Sequence, residues 1–349
     1  MNFKRLWAIF IARNHEFFRD RSAFGWNFIF PFLLVGGFAL IFGGEGRKEY
    51  KVGIFPLVQE QLAVPGSGVP PRFLETNFVE FIAFEDQETA FNKLLHHKID
   101  FLLKAGSKPY EYWVSTTSPR GYFVERIFKS SLVSETEDNL SDRKEVMGRE
   151  IRYIDWFFPG ILAMNMMFSA LWGVGYIVVR YRKNGVLKRL KATPLTSLEY
   201  LAAQTLSRIF LLMFTLVVVW IGCDLVFSFH VEGSYLDLFI VFFMGGVSLT
   251  ALGLLIASRG TSEEFTSGIL NFITWPMMFL SEVWFSLEGS PQWIKLVAKI
   301  FPLTHMLTAA RKVMNDGANL FDIGMELFVL AGMIILFLSL GASLFSWRK

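Results

Sequence analysis

Cysteine is almost absent from this sequence. Among 349 residues there is one, Cys223, inside an apolar run, so neither a disulfide framework nor a cysteine-rich metal site can be built within the chain. Histidine is scarce too, at five residues, and no HExxH or spaced Cys/His ligand set occurs. The adjacent pair His96-His97 falls on a predicted helix, where neighbours in sequence point in different directions, so no metal is expected to bind this chain. A phosphate-cradling G-x-x-x-x-G-K followed by Ser or Thr is also missing, which means that any ATP involved is bound by another subunit. The long apolar runs hold few ionisable groups, chiefly Arg208 and Glu282, with Asp224 near one end of its run. That scarcity argues against an ion-coupled carrier, which buries several such groups along its path.

What is abundant is apolar sequence. The chain is 53% hydrophobic with 38 Phe, and its mean hydropathy is +0.41, too apolar in long runs for a soluble fold. It reads as an α-helical polytopic membrane protein with six transmembrane helices and a small α/β extracytoplasmic domain between spans 1 and 2. The net charge of +3 says little about partners, because the basic residues cluster beside apolar runs; no nucleic acid is implied. The first apolar run begins only after Arg21 and ends in GGEGRKEY with no small-x-small pattern, so it is not expected to be a cleaved signal peptide.

The stretch that orients the rest is Arg180 to Leu198, RYRKNGVLKRLKATPLTSL, with six Lys/Arg between two apolar runs. Each costs ~2.5–3.5 kcal/mol at a bilayer centre, which places the segment on the cytoplasmic face. Val186, Leu187 and Leu190 recur at helical spacing, Gly185 can break the preceding helix, and Thr193-Pro194 closes the segment. A short amphipathic helix on the membrane surface is expected, its apolar face turned to a partner.

From this anchor the chain divides as follows. Residues 1–21 form a cytoplasmic interfacial helix with an aromatic face and five basic residues, and 22–44 is the first span. Residues 45–155 have the charges and turn residues of a soluble domain: strands at YKVGIFP, FVEFIAF, IDFLLKA and YEYWVST, helices at EDQETAFNKLLHHK and GYFVERIFKSSLVSE, a Pro/Gly loop at 61–72 and a mobile polar stretch at 134–150. Residues 156–349 carry spans 2–6, near Trp156–Val179, Leu201–Gly222, Leu238–Ser258, from Phe265, and Leu327–Trp347. Arg208 in the third span is expected to snorkel to the interface or to pair with a neighbouring span. Thr261 is positioned to cap the fifth span with Glu264 three residues on. Between spans 5 and 6, residues 282–317 are too polar to span and read as short half-inserted helices on the outer face. Segments placed in the cytoplasm, both termini included, hold fourteen Lys/Arg, against none in the short outer loop Phe229–Asp237 and four between Glu282 and Glu326.

Four stretches in order resemble the type-2 permease family of ATP-binding cassette (ABC) exporters: EFFRDRSAF, RKNGVLKRLKATPLTSLEYLAAQ, SEEFTSGILNFITWPMMFLSEVWFSLEGSPQW and FPLTHMLTAARKVMNDG. The resemblance implies a permease subunit, itself no enzyme, in a bacterial cytoplasmic membrane. It pairs with a second permease subunit, as a homodimer or pseudodimer, and with a dimer of cytoplasmic ABC ATPase subunits that bind ATP and Mg. It matches Gly185, Leu187, Arg189, Leu190, Thr193 and Pro194 to the ATPase-coupling helix and Arg19 and Asp20 to the entry helix. Glu282, Pro302, Thr304 and Arg311 fall in the outer re-entrant motif, Glu282 standing where many members carry Gly. Arg311 is expected to hold the re-entrant helices, through carbonyls or through Glu282 or Glu288. The function implied is export of a hydrophobic or amphipathic substrate in contact with membrane lipid. Residue reading alone leaves an ion-coupled carrier or a membrane sensor with a ligand-binding ectodomain as the other classes, though every predicted cytoplasmic segment is too short for an output domain.

Overall fold

The computed structural model describes residues 2–42, 49–62, 68–96, 98–116, 118–132, 152–258, 260 and 262–345. The chain forms two compact units, residues 44–149 and the remainder. It opens with α1 (Phe3–Arg19) and α2 (Arg21–Phe42). Asn2 caps α1 by accepting from Lys4 N, and Asp20, in extended conformation, separates the two helices while its carboxylate accepts from Ser22 N at 3.0 Å.

Residues 44–149 hold a four-stranded sheet of order β2-β1-β3-β4, made of β1 (Tyr50–Phe55), β2 (Val79–Ala83), β3 (Phe101–Lys104) and β4 (Tyr112–Val114). β1 runs parallel to both neighbours, Val52 opposite Phe81 and Phe101, and β3 pairs antiparallel with β4. Among the described residues three α-helices, the short α3 (Pro71–Leu74), α4 (Gln87–Leu95) and α5 (Pro119–Ser131), and a 3-10 turn at Gln59–Gln61 complete the unit. Strand alternation sends Val52, Ile54, Phe101 and Leu103 to one face with Phe73, Val124 and Phe128, and Phe55 and Leu102 to the other with Ala90 and Leu94 of α4. All four predicted strands and both predicted helices are present; the additional α3 starts on a Pro at its first turn, inside what reads as a Pro/Gly loop. The stretch 134–150 lies outside the described residues.

In the other unit, α6 (Tyr153–Ala170) runs through a six-residue π-helical stretch, Leu171–Tyr176, into α7 (Ile177–Lys183). There follow α8 (Val186–Lys191), α9 (Ser197–Phe227), α10 (Tyr235–Ala257), α11 (Glu263–Leu280), α12 (Gln292–Ala298), α13 (Pro302–Asp316) and α14 (Gly324–Leu344). α6 is the axis of the bundle, buried along most of its length, with α10 and α13 also contributing buried faces. Close approach uses glycine: a Cβ on Gly245 would lie 2.0 Å from Met306 Sδ of α13, and one on Gly160 would lie 2.9 Å from Val283 O. Leu206, Phe210, Val217, Ile221 and Leu225 of α9 stay exposed, as a lipid-facing stripe requires.

Among the described residues five helices, rather than the six expected, are long and apolar enough to cross a membrane: α2, the α6–α7 rod, α9, α10 and α14. The region read as the fifth span is α11, which opens on Glu263 and Glu264 and contains Pro276, so its composition falls short. Its cap is Ser262, which accepts from Phe265 N at 3.3 Å and donates to Glu264 Oε2 at 2.6 Å; Thr261 lies outside the described residues. Arg208 does not snorkel. It is 9% exposed and donates to Ser169 of α6, the second of the two courses that the sequence left open.

Candidate functional site

The basic segment folds as a helix-break-helix. α7 ends at Asn184, Gly185 adopts φ +70°, and α8 follows for six residues. A Cβ at 185 would meet nothing, so what selects glycine is the left-handed backbone, which costs another residue about 1–2 kcal/mol. Thr196 then caps α9 in a reciprocal box with Glu199, each backbone N–H meeting the other's side chain.

α8 is amphipathic, but its apolar side is spent inside the chain. Leu187 is fully buried with Val178, Val179, Tyr200, Leu201 and Leu254, and Leu190 is packed partly against the same cluster. The expectation that these leucines fill a groove on a partner is therefore corrected for Leu187: a surface helix and a docked helix have the same sequence pattern, and here the chain's own α7, α9 and α10 take the apolar face. What α8 leaves exposed is Lys188, Arg189 and Lys191, and the turn after it exposes Thr193 and Pro194.

This basic platform is tied to α1. The Asn2 backbone N–H donates to Glu199 Oε1 at 2.6 Å, Arg5 donates to the Pro194 carbonyl, and Tyr181 with Arg13 closes on Glu16. Arg13 lies 5.1 Å from the Tyr181 ring centroid. Farther along α1, Ser207 Oγ donates to Asn14 Oδ1 at 3.1 Å, and Phe17 is buried. Of the two residues matched to an entry helix, Asp20 caps α2 and Arg19 is exposed. Arg182, which sequence reading passed over as one more cation, is 7% exposed and donates to the carbonyls of Ala257, Ser258 and Gly260. It thus closes the C-terminal end of α10, where a cation meets unpaired carbonyls and the helix dipole. Its position in α7, facing a helix more than seventy residues away, left no signal in the sequence.

A second constellation joins α6, α11 and α13. Arg311 stacks on Trp156 at 3.7 Å, donates from Nε to Trp156 O at 3.2 Å and from Nη2 to Glu282 O at 2.8 Å, and has Nη1 3.7 Å from Glu282 Oε2. Glu282 itself has φ +60° and accepts from Leu287 N through Oε1 at 2.8 Å. Pro302 starts α13, and Thr304 Oγ1 donates to Ala298 O at 2.6 Å beside Ser281 Oγ at 2.9 Å. Glu288 is not joined to Arg311 among the described residues. No group of three or more His, Cys, Asp or Glu able to hold a metal occurs among them either.

These features define a multi-pass helical membrane protein with a basic helix-break-helix at one end of its bundle. The chain belongs to the ABC-2 family transporter proteins, whose family model matches residues 21–343, and it is an ABC transporter permease. It is 23% identical over 197 residues to the daunorubicin resistance ABC transporter permease protein DrrB1 of Streptomyces coeruleorubidus, covering 55% of this chain and 69% of that one. Along its whole length it is 21% identical to the probable multidrug ABC transporter permease YbhS of Escherichia coli, 97% of which is covered. The inner membrane transport permease YhhJ of the same species is 26% identical over 171 residues, 47% of this chain and 44% of that protein. The resemblance set Gly against Glu282, and the backbone gives a reason: φ +60° is glycine's region, and here the Glu side chain is held by Leu287 and Arg311 instead.

Proposed function

We propose that this chain is the membrane subunit of an ATP-driven exporter that moves a hydrophobic or amphipathic substrate out across a bacterial cytoplasmic membrane. Two copies act with two ATPase subunits, which bind ATP and Mg and dock on the exposed basic face of α8. In this reading the basic end, with both termini, is cytoplasmic, α11 is the fifth of six spans, and α12 and α13 are the outer re-entrant helices. The drug-resistance names of the relatives support an amphipathic substrate.

The observation that carries the reading is the construction of α8. Its apolar side is fastened to α9 and α10 through Leu187, and the segment after it is fastened to α1 through Arg5 and Pro194. A push on Lys188, Arg189 or Pro194 is therefore delivered to three helices of the bundle at once, as a mechanical handle requires. Arg19, beside the α1–α2 break, moves with the same platform.

Reversing the exposed charges tests it, with Lys188, Arg189 and Lys191 all changed to Glu. These side chains lie on the surface, so membrane levels of the permease should hold, while co-purification of the ATPase and export should fall at least about tenfold, since like charges brought together at an interface cost several kcal/mol. Retained ATPase binding would sink this assignment of α8. Leu187→Asp is no substitute for that experiment, because it places an unpaired charge in the permease's own core and removes the protein itself.

A further inference from the structure

A cavity of about 520 Å³ lies among α1, α2, α6 with its π-helical stretch, and α9, near the basic end of the bundle. Its construction is unlike that of a packing defect. Arg208 reaches into it from α9 with its guanidinium laid on the Gly173 backbone, so close that a Cβ at 173 would sit 1.9 Å from Cζ. Nη2 donates to Ser169 O and, at 2.8 Å, to Ser169 Oγ, but Nε has no partner. One turn earlier, Gln204 is 2% exposed and its Oε1 is likewise unpartnered.

The local charges do not cancel. Two carboxylates line the cavity, and both are engaged elsewhere: Glu16 by Arg13 and Tyr181, Asp20 by the start of α2. Arg208 has no carboxylate paired with it among the described residues. A guanidinium held inside an apolar bundle without a counter-ion is costly, and such groups inside membrane proteins face a partner or a pathway. Its planar fork matches a carboxylate or a phosphate. The Gln204 amide, turned over, offers an N–H to the same anion.

One side of the remaining wall is aromatic, beside polar residues such as Asn27 and Asn165. Trp26 and Phe30 stack at 4.6 Å along α2, and Phe168 and Trp172 line the α6 side. Trp26 is 65% exposed, so this wall continues onto the surface of the bundle. A cationic floor with an apolar wall leading outward fits a molecule with one acidic head and a greasy tail.

We infer that this cavity binds the acidic head, carboxylate or phosphate, of an amphiphile, with Arg208 as its counter-ion and the tail lying along Trp26 and Phe30. In the orientation proposed above, the cavity opens toward the cytoplasmic leaflet. Two sources supply that chemistry, an acidic phospholipid of the bilayer or a free lipophilic acid. Binding there needs neither ATPase nor export, so it stands or falls separately from the role given to α8.

The test uses native mass spectrometry of the purified full-length chain with dioleoylphosphatidylglycerol, oleate, dioleoylphosphatidylcholine and oleyl alcohol. At least one acidic probe should bind in preference to the zwitterionic and neutral ones. Phosphatidylglycerol alone identifies a bilayer lipid, oleate alone a free acid, and both a site that reads only the head. Gln204→Glu provides the decisive variant: it is nearly isosteric, sets a carboxylate one turn before Arg208, and supplies the counter-ion from within. It should lower acidic-probe affinity at least roughly tenfold while leaving thermal stability equal or higher. Arg208→Gln should abolish the preference where that variant folds. Equal binding of all four probes, no binding of either acid, or unchanged acid binding in Gln204→Glu would each overturn the inference and leave a cavity filled by water.

Discussion

At the scale of single residues, the sequence revealed chemistry better than direction. Arg311, Pro302 and Thr304 stood out as a group, and in the structure all three lie on α13, where Arg311 binds Trp156 and Glu282 while Thr304 binds Ala298 and Ser281. Leu187 and Arg208 were equally visible, yet which way they face was not: an apolar stripe beside basic residues is the same pattern whether its cover is another chain or the chain's own helices. Arg208 was undecided for a similar reason, since a cation two turns into a span reaches either the interface or a neighbour, and only the arrival of Ser169 and Gly173 opposite it decides. Arg311 gives the sharpest test at this scale. A lysine can replace its charge but not the stacking on Trp156 or the two carbonyl bonds made by different nitrogens. Arg311→Lys should destabilise the protein by about 1.5–3 kcal/mol, the range for hydrogen bonds from charged groups, seen as a lower melting temperature and less monodisperse protein. Normal stability with altered substrate choice would instead make Arg311 a binding residue.

At the scale of elements, apolar length and strand alternation were sufficient to find the helices and strands, because both are local and repeated. α3 and the π-helical stretch after α6 escaped, the first for being one turn long and the second because a widened turn has no composition of its own. The six-span expectation met its limit at α11, where two glutamates and a proline take the helix out of the class that composition alone assigns. In the α/β unit, α5 is latched to β4 by a chain of side chains: Tyr112 Oη donates to Glu125 Oε1 at 3.0 Å and Lys129 Nζ to the same oxygen at 2.6 Å. The Lys129 bond, helped by the Tyr112 hydroxyl, holds the Glu125 carboxyl below its usual range, and Glu125 in turn raises Lys129. A depressed carboxyl contributes stability that is present above its unfolded pKa and is lost as the pH falls through the folded one. Glu125→Gln should therefore melt below the parent protein at pH 7, with the difference vanishing once the pH is under the depressed value. Near-ultraviolet circular dichroism of the full chain at several pH values measures this, and a gap that persists in acid would assign the latch to packing rather than charge.

At the scale of the whole molecule, the proposed orientation rests on where the basic residues fall, and it makes a prediction that the family alone does not. The single cysteine, Cys223, is fully buried, so the parent protein is silent toward a thiol reagent that cannot cross membranes. New cysteines then report their own side. Glu88 is exposed in the first turn of α4, in the unit formed by residues 44–149, and Lys191 is exposed at the end of α8. In the proposed orientation, with the basic end on the cytoplasmic side, Glu88→Cys should label fully in intact spheroplasts, whereas Lys191→Cys should label only after the membrane is broken. The two outcomes are coupled through α2, the apolar helix that precedes residues 44–149 in the chain. If both positions react from outside, α2 does not cross; if the pattern is inverted, α8 faces away from any cytoplasmic ATPase, and the handle proposed for it has nothing to grip.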